Sequence, residues 1–190
     1  MIFEQSIKIP ISRVGVLVGK GGNVKKEIET HCGVSIEINS REGEVIVTAD
    51  GDLSIIDPFK AIEIINAISK GFSPQRATAL LRDDESLLEI LDLREYSGRS
   101  SSNLNRIKGR LIGSNGKTRR IIEETSGSEL SIYGHTASII GTSSEVEMAK
   151  EAIESLALGK SHQSVYITMQ KKRSKLKKEM LLLWEGKSIN

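Results

Sequence analysis

The sequence predicts an α+β protein built from two copies of one unit, each running strand, helix, helix, strand, strand, helix, with a further helix at the C-terminus. Three observations predict it. A pattern occurs twice, as Arg13-Val-Gly-Val-Leu-Val-Gly-Lys-Gly-Gly22 and Ile107-Lys-Gly-Arg-Leu-Ile-Gly-Ser-Asn-Gly116. The offset of 94 positions that carries Gly19 onto Gly113 also carries Gly15 onto Gly109, Gly22 onto Gly116, Ile28 onto Ile122 and Gly33 onto Gly127. Repetition on this scale sets the architecture before any single motif does. Around both copies the apolar spacing switches between the period of a strand and that of a helix in the same order. Finally, 190 residues suffice for two small cores.

The first unit, residues 1–72, opens with a strand over Ser6–Ile9, where Ile7 and Ile9 alternate with polar residues, and Pro10 ends it and turns the chain into the first helix. After Gly22 a helix carries Val24 and Ile28 on one side and Lys25, Lys26, Glu27 and Glu29 on the others, and Gly33 terminates it. Val34–Ile38 and Glu44–Thr48 read as two strands joined by the polar loop Asn39–Gly43. Asp57-Pro58 supplies an N-cap and a first-turn proline for a helix on which Phe59, Ile62, Ile65 and Ile68 repeat. Residues 73–86 form a connection, with Ser73 predicted to cap an extra helix over Ser73–Leu81 that packs the units together and covers Leu80 and Leu81.

The second unit, residues 87–159, repeats the order. Leu88–Tyr96 is predicted as its first strand, and Ser100–Asn103 as the cap of the helix leading into Gly113. Leu130 with Ile132, and Ala137 with Ile139, alternate as strands; Thr142-Ser-Ser-Glu145 is a capping box for a helix bearing Val146, Ala149, Ile153 and Leu156. Residues 160–190 form a basic helical tail, Lys171–Lys178, ending in Met180-Leu-Leu-Leu-Trp184, an apolar cluster predicted to dock on the body or on a protein partner.

The chemistry sits in the repeated loops. Each copy has an aliphatic residue, then Gly-x-x-Gly, then a polar helix: Val18 with Gly19, Lys20, Gly21 and Gly22, and Ile112 with Gly113, Ser114, Asn115 and Gly116. A missing Cβ lets a phosphate approach the main chain, and N–H groups at the positive end of the following helix face it. One such loop is as readily an ordinary interhelical turn; two with the same flanks are not. Gly113–Thr118 ends like a nucleotide-binding P-loop, but that motif needs glycine where Leu111 stands, and neither copy has the spacing of a dinucleotide fingerprint.

At these residues the chain resembles the KH family, whose GxxG loop clamps a short single-stranded nucleic-acid backbone. The resemblance implies two type I, eukaryotic-type KH domains, each a three-stranded sheet with three helices on one face. It implies RNA in a groove walled by Val18, Val24, Ile112 and Ile121, residues that serve equally well as core. Lys20, Lys25, Lys26, Lys117, Arg119 and Arg120 are placed for phosphates. Base edges would be read from the second strands, Val34–Ile38 and Glu129–Tyr133. Two clamps of about four nucleotides each would cover roughly eight to ten.

Charge supports the second clamp more than the first. The net charge is only +2. From Arg106 to Arg120, however, lie Arg106, Lys108, Arg110, Lys117, Arg119 and Arg120 with no acidic residue, a field that attracts a polyanion. Residues 160–190 hold 8 Lys/Arg against 2 Asp/Glu, which by itself is a solvated basic face. Aromatic residues at 4% disfavour stacking platforms. The single cysteine, Cys32, precludes an intramolecular disulfide and reads as a small buried residue, and His31, His135 and His162 are scattered, so no metal and no cofactor is expected. No carboxylate pair or activated nucleophile suggests an enzyme. Without a signal peptide or a long apolar run, the expected setting is the cytoplasm.

Over its whole length, including Asp92-Leu-Arg-Glu-Tyr-Ser-Gly98 and the basic tail, the chain resembles the archaeal KH-domain ribosome-assembly factors. Their eukaryotic counterpart partners the endonuclease that trims the 3′ end of small-subunit rRNA. The resemblance implies binding at the 3′ end of 16S rRNA or its precursor, with contacts to that endonuclease and to the alpha subunit of translation initiation factor two. Eukaryotic members have a degenerate first GxxG, whereas Gly19–Gly22 is intact here. Two clamps are therefore expected, the second dominating affinity. The alternative is a protein-interaction adaptor of the translation or RNA-degradation machinery with weak RNA binding; an exosome cap is disfavoured because no barrel-length all-strand region is present.

Overall fold

The structure, a computed structural model, describes residues 2–51, 56–81, 85–98 and 100–187. It divides into two compact units, Met1–Leu88 and Glu89–Asn190.

In the first unit β1 (Ile2–Lys8) leads through Pro10 into α1 (Ile11–Val18), and the loop at Gly19 into α2 (Asn23–Cys32). β2 (Ser35–Asn39), β3 (Glu44–Asp50) and α3 (Pro58–Ser69) follow. The sheet is antiparallel in the order β1-β3-β2, with Ile7 opposite Val45 and Ile36 opposite Val47. Along β3, Val45, Val47 and Ala49 are buried between half-exposed neighbours, so the period-two pattern turns one face to the helices. Leu17, Ile28, Ile36, Ile64, Ile65 and Ile68 are completely enclosed. The Asp57 carboxylate caps α3 by accepting from the Lys60 N–H at 2.8 Å.

Three expectations for this unit change. β1 begins four residues before Ser6, because pairing with β3 extends to Ile2 opposite Asp50. Phe59 is 62% exposed rather than core: it sits in the first turn of α3 and meets Phe3 edge to face, with ring centres 5.4 Å apart. The region after Ser73 is one turn, α4 (Pro74–Ala77), followed by a 3-10 turn over Thr78–Leu81, and the Ser73 side chain makes no capping bond. It packs on α3, which is where Leu80 is buried.

The second unit comprises β4 (Leu87–Asp92), α5 (Arg94–Ser97), α6 (Ser101–Ile112), α7 (Lys117–Ser126), β5 (Glu129–Tyr133), β6 (Thr136–Gly141) and α8 (Ser143–Ala157). Its sheet has the same order, β4-β6-β5. The predicted strand Leu88–Tyr96 stops at Asp92 because that carboxylate bends the chain: it accepts from the Arg94 N–H at 2.9 Å and from the Arg94 guanidinium. The guanidinium contact holds the Asp92 carboxyl down at about 2. Ser100 caps α6 through the Asn103 N–H, and Glu145 completes the capping box by accepting from the Thr142 N–H at 2.8 Å. All six residues of β6 are buried, so the expected alternation of Ala137 and Ile139 is not seen there.

The tail is a single long helix, α9 (His162–Lys187), lying on α7 and α8 through the buried Val165 and Met169. Lys172 pairs with Glu151 at 2.8 Å, and Arg173 donates to the Glu124 carbonyl at 3.0 Å. Docking is therefore achieved by the first half of the helix. Leu181 and Leu182, expected in an apolar contact, are 63% and 66% exposed, and the side chains of Met180, Leu183 and Trp184 lie outside what is described.

Candidate nucleic-acid interface

The two glycine loops have the same backbone. Gly19 stands at φ 72, ψ 177 and Gly113 at φ 71, ψ 176; Gly22 at φ 79, ψ 12 and Gly116 at φ 74, ψ 16. The third positions agree as well, Gly21 at φ 62 and Asn115 at φ 52, which makes Asn115 the one non-glycine residue of positive φ among the described residues. Asparagine is among the few side chains that tolerate this region. The leading glycine is required twice over. Its conformation belongs to glycine, and a Cβ there would lie 2.9 Å from Val24 Cβ in the first unit and 2.8 Å from the Thr118 main-chain nitrogen in the second.

This geometry produces a turn that can receive an anion. The N–H of Gly22 returns to the Gly19 carbonyl at 3.3 Å, and that of Gly116 to Gly113 at 3.2 Å. Lys20 and Gly21, and likewise Ser114 and Asn115, open a new turn whose first N–H groups the turn itself does not consume. Behind them point the N-termini of α2 and α7. Lys20, Gly21, Ser114, Asn115 and Lys117 are exposed, Gly22 and Gly116 partly so.

The predicted cations do not stand together. Around the second loop stand Arg106, Lys117 and Arg120, the last donating to the Asn115 carbonyl at 3.1 Å and so sitting over the turn. In the first unit Lys20 occupies the loop and Lys26 takes Arg120's place in the repeat, exposed on α2. Lys25 and Arg119, equivalent in the repeat, instead face a carboxylate one turn on: Lys25 lies 3.6 Å from Glu29 and Arg119 3.7 Å from Glu123. Arg110 is engaged elsewhere: its guanidinium donates to the carbonyls of Leu156, at 3.0 Å, and Lys160, tying α6 to the end of α8. Lys108 lies two residues from Arg106, about 200° around α6, and does not share its side. The basic run of the sequence is thus not one field.

Glu29 and Glu123 were not singled out by sequence reasoning. Glu29 accepts from the Ile36 N–H at 2.8 Å, and Glu123 from the Leu130 N–H at 2.9 Å, so each fixes the start of the second strand of its sheet to the helix after the loop. The recurrence of an acid at the 94-residue offset was the available signal. Of the apolar wall, Ile112 is 37% exposed, Val18 and Ile121 are half-buried, and Val24 is core. Cys32 is buried, which pushes its thiol up to about 11; no metal-ligating cluster occurs among the described residues.

Comparison with known proteins agrees with this geometry. The profile described as a eukaryotic-type KH domain, type I, matches residues 87–174, and that of the KH domain matches residues 4–65. The KH domain-containing protein MJ0443 of Methanocaldococcus jannaschii is 42% identical over 182 residues, spanning 96% of this chain and 79% of that protein. Pre-rRNA-processing protein PNO1 of Saccharomyces cerevisiae is 25% identical over 177 residues, 92% of this chain and 64% of the yeast protein. Among solved structures, a chain of the a/eIF2alpha-aDim2p-rRNA complex from Pyrococcus horikoshii matches with a TM-score of 0.85 and 42% identity, covering 92% of this chain and 96% of that one.

Proposed function

This chain belongs to the tandem KH-domain family, in the branch with the PNO1 and Dim2 proteins, and from that premise we propose that it binds single-stranded RNA at the 3′ end of 16S rRNA or its precursor during small-subunit maturation. The carrying observation is the pair of superimposable GxxG turns, each with open N–H groups at a helix N-terminus. Backbone capture holds the strand without reading it; base edges would be read along β2, where Ser35, Glu37 and Asn39 are exposed, and β5, where Glu129, Ile132 and Tyr133 are half-exposed. The second clamp supplies more of the affinity, since Arg106, Lys117 and Arg120 surround it while the first loop has Lys20 and Lys26. Lys25 and Arg119, held by Glu29 and Glu123, contribute less to phosphate binding than the sequence suggests.

The partners in this reading are RNA and the alpha subunit of translation initiation factor two, supported by the composition of the Pyrococcus complex. Contact with the rRNA 3′-end endonuclease rests on the family resemblance. The protein acts by binding rather than turnover. A cytoplasmic setting fits ribosome maturation; no helix of the described residues is long and apolar enough to cross a membrane. The adaptor alternative is not favoured.

The test is fluorescence anisotropy with a labelled RNA decamer matching the 16S 3′ end, a scrambled decamer and the same site in duplex. Ser114→Asp with Asn115→Asp places two carboxylates on the second turn; Lys20→Asp with Gly21→Asp does so on the first. Preferential single-strand binding that falls strongly in the former pair and weakly in the latter is expected. Equal binding of all three RNAs, unaffected by either pair, overturns the proposal.

A further inference from the structure

One side of the second clamp is walled by a segment that the repeat does not contain. Between the loop and the first turns of α9 lies an open depression lined by Arg106, Gly113, Ser114, Lys117, His162 and Tyr166. Its α9 wall is fixed. The Tyr166 hydroxyl donates to Thr118 Oγ1 at 3.1 Å, His162 Nε2 donates to the Arg110 carbonyl at 3.0 Å, and the two rings lie 6.1 Å apart. The Arg106 guanidinium is oriented by two bonds to Asn103 Oδ1, at 2.8 and 3.1 Å. Among the described residues no acidic one lines the depression, whereas the groove on the other flank of α9 is lined by Glu151 and Glu154 together with Lys160 and Lys172. In the first unit Val24 stands where Thr118 does, and no helix equivalent to α9 occurs among the described residues.

We propose that this depression is an additional RNA subsite, taking the phosphodiester and ribose of a nucleotide just outside the stretch gripped by the second GxxG turn. Arg106 and Lys117 bind the phosphate, and the rings of His162 and Tyr166 form a firm wall against the sugar. Ser114 and Lys117 border both the turn and the depression, so a strand leaving the clamp enters it without a gap. α9 thereby lengthens the second site, and only that one. The proposal rests on the RNA-binding reading above.

The experiment compares an RNA of about four nucleotides, the length one clamp holds, with the same RNA extended at either end by about three. The variants Arg106→Gln, Arg106→Lys and His162→Ala are made in the full chain, with thermal unfolding as the check on folding. For Arg106→Gln, whose side chain also borders the clamp, the expected result is a loss of binding about five-fold greater for the extended RNA than for the short one, with a salt slope for the extended RNA smaller by about 0.7. Arg106→Lys restores most of the loss, and His162→Ala weakens only the extended RNA. Loss of affinity equal for both lengths, or none for either, overturns the subsite. If the Ser114→Asp, Asn115→Asp pair leaves both RNAs bound, the clamp reading itself fails, a result distinct from either.

Discussion

Replacing Gly113 by alanine should destabilise the second unit severely, while the same change four residues earlier should stabilise it. At Gly113 the backbone lies at φ 71, ψ 176, a region in which a side chain costs about 1–3 kcal/mol. The added methyl would also sit 2.8 Å from the Thr118 nitrogen, a main-chain atom at the start of α7 that cannot swing aside. Relieving such an overlap costs about another 1–3 kcal/mol, for a total of about 2–6. At Gly109, inside α6, a Cβ meets nothing within 4 Å, and alanine gains helix propensity of about 1 kcal/mol. Asn115→Gly, at φ 52, removes a tolerated side chain and should change stability by less than about 1 kcal/mol. Urea unfolding followed by circular dichroism reads all three. With a slope of about 2 kcal/mol/M, Gly113→Ala lowers the midpoint by about 1–3 M and Gly109→Ala raises it by about 0.5 M. If Gly113→Ala shifts it by less than about 0.3 M, or if both alanines move it the same way, the close approach of loop and helix described here is wrong.

Arg110→Gln should lower stability by about 1–3 kcal/mol, because glutamine cannot donate to both the Leu156 and the Lys160 carbonyl, yet leave the salt dependence of RNA binding unchanged although a charge is lost; titrations at several salt concentrations distinguish this from a phosphate contact. Glu123→Ala strands the Leu130 N–H and should cost about 1–3 kcal/mol by urea unfolding, whereas Arg119→Ala, which removes a partly exposed ion pair, should cost less than about 1. Cys32, buried and with its thiol pushed up to about 11, stays protonated at pH 8 in the folded protein, so alkylation there should wait for unfolding. The sign follows for stability: the unfolded thiol ionises first as pH rises, so burial of Cys32 disfavours the folded state progressively above about pH 9. Rapid native-state labelling at pH 8 would refute the burial.

The sequence by itself determined what depends on local chemistry and on repetition. The double GxxG, with Gly33 and Gly127 closing the next helices, specified both turns, the helices around them and the order of elements, because those features follow from φ preference, proline and apolar period along the chain. It also placed the Asp57 and Ser100 caps, which act within a few residues. What only the tertiary structure decided is where long side chains end. Arg110, Arg119 and Lys108 look alike in a basic run, but one reaches carbonyls at the end of α8, one meets Glu123 on its own helix, and one lies on the other side of α6. The same holds for Phe59, whose helical spacing is correct but which stays largely exposed in the first turn of α3, and for Tyr96, carried out of its predicted strand when Asp92 captures Arg94. Above all, the sequence suggested a basic helical stretch over Lys171–Lys178 but not that the helix starts at His162 or that its first turns stand beside the second loop. A charged or aromatic side chain acts through partners dozens of residues away, and their distance is fixed only when the helices pack.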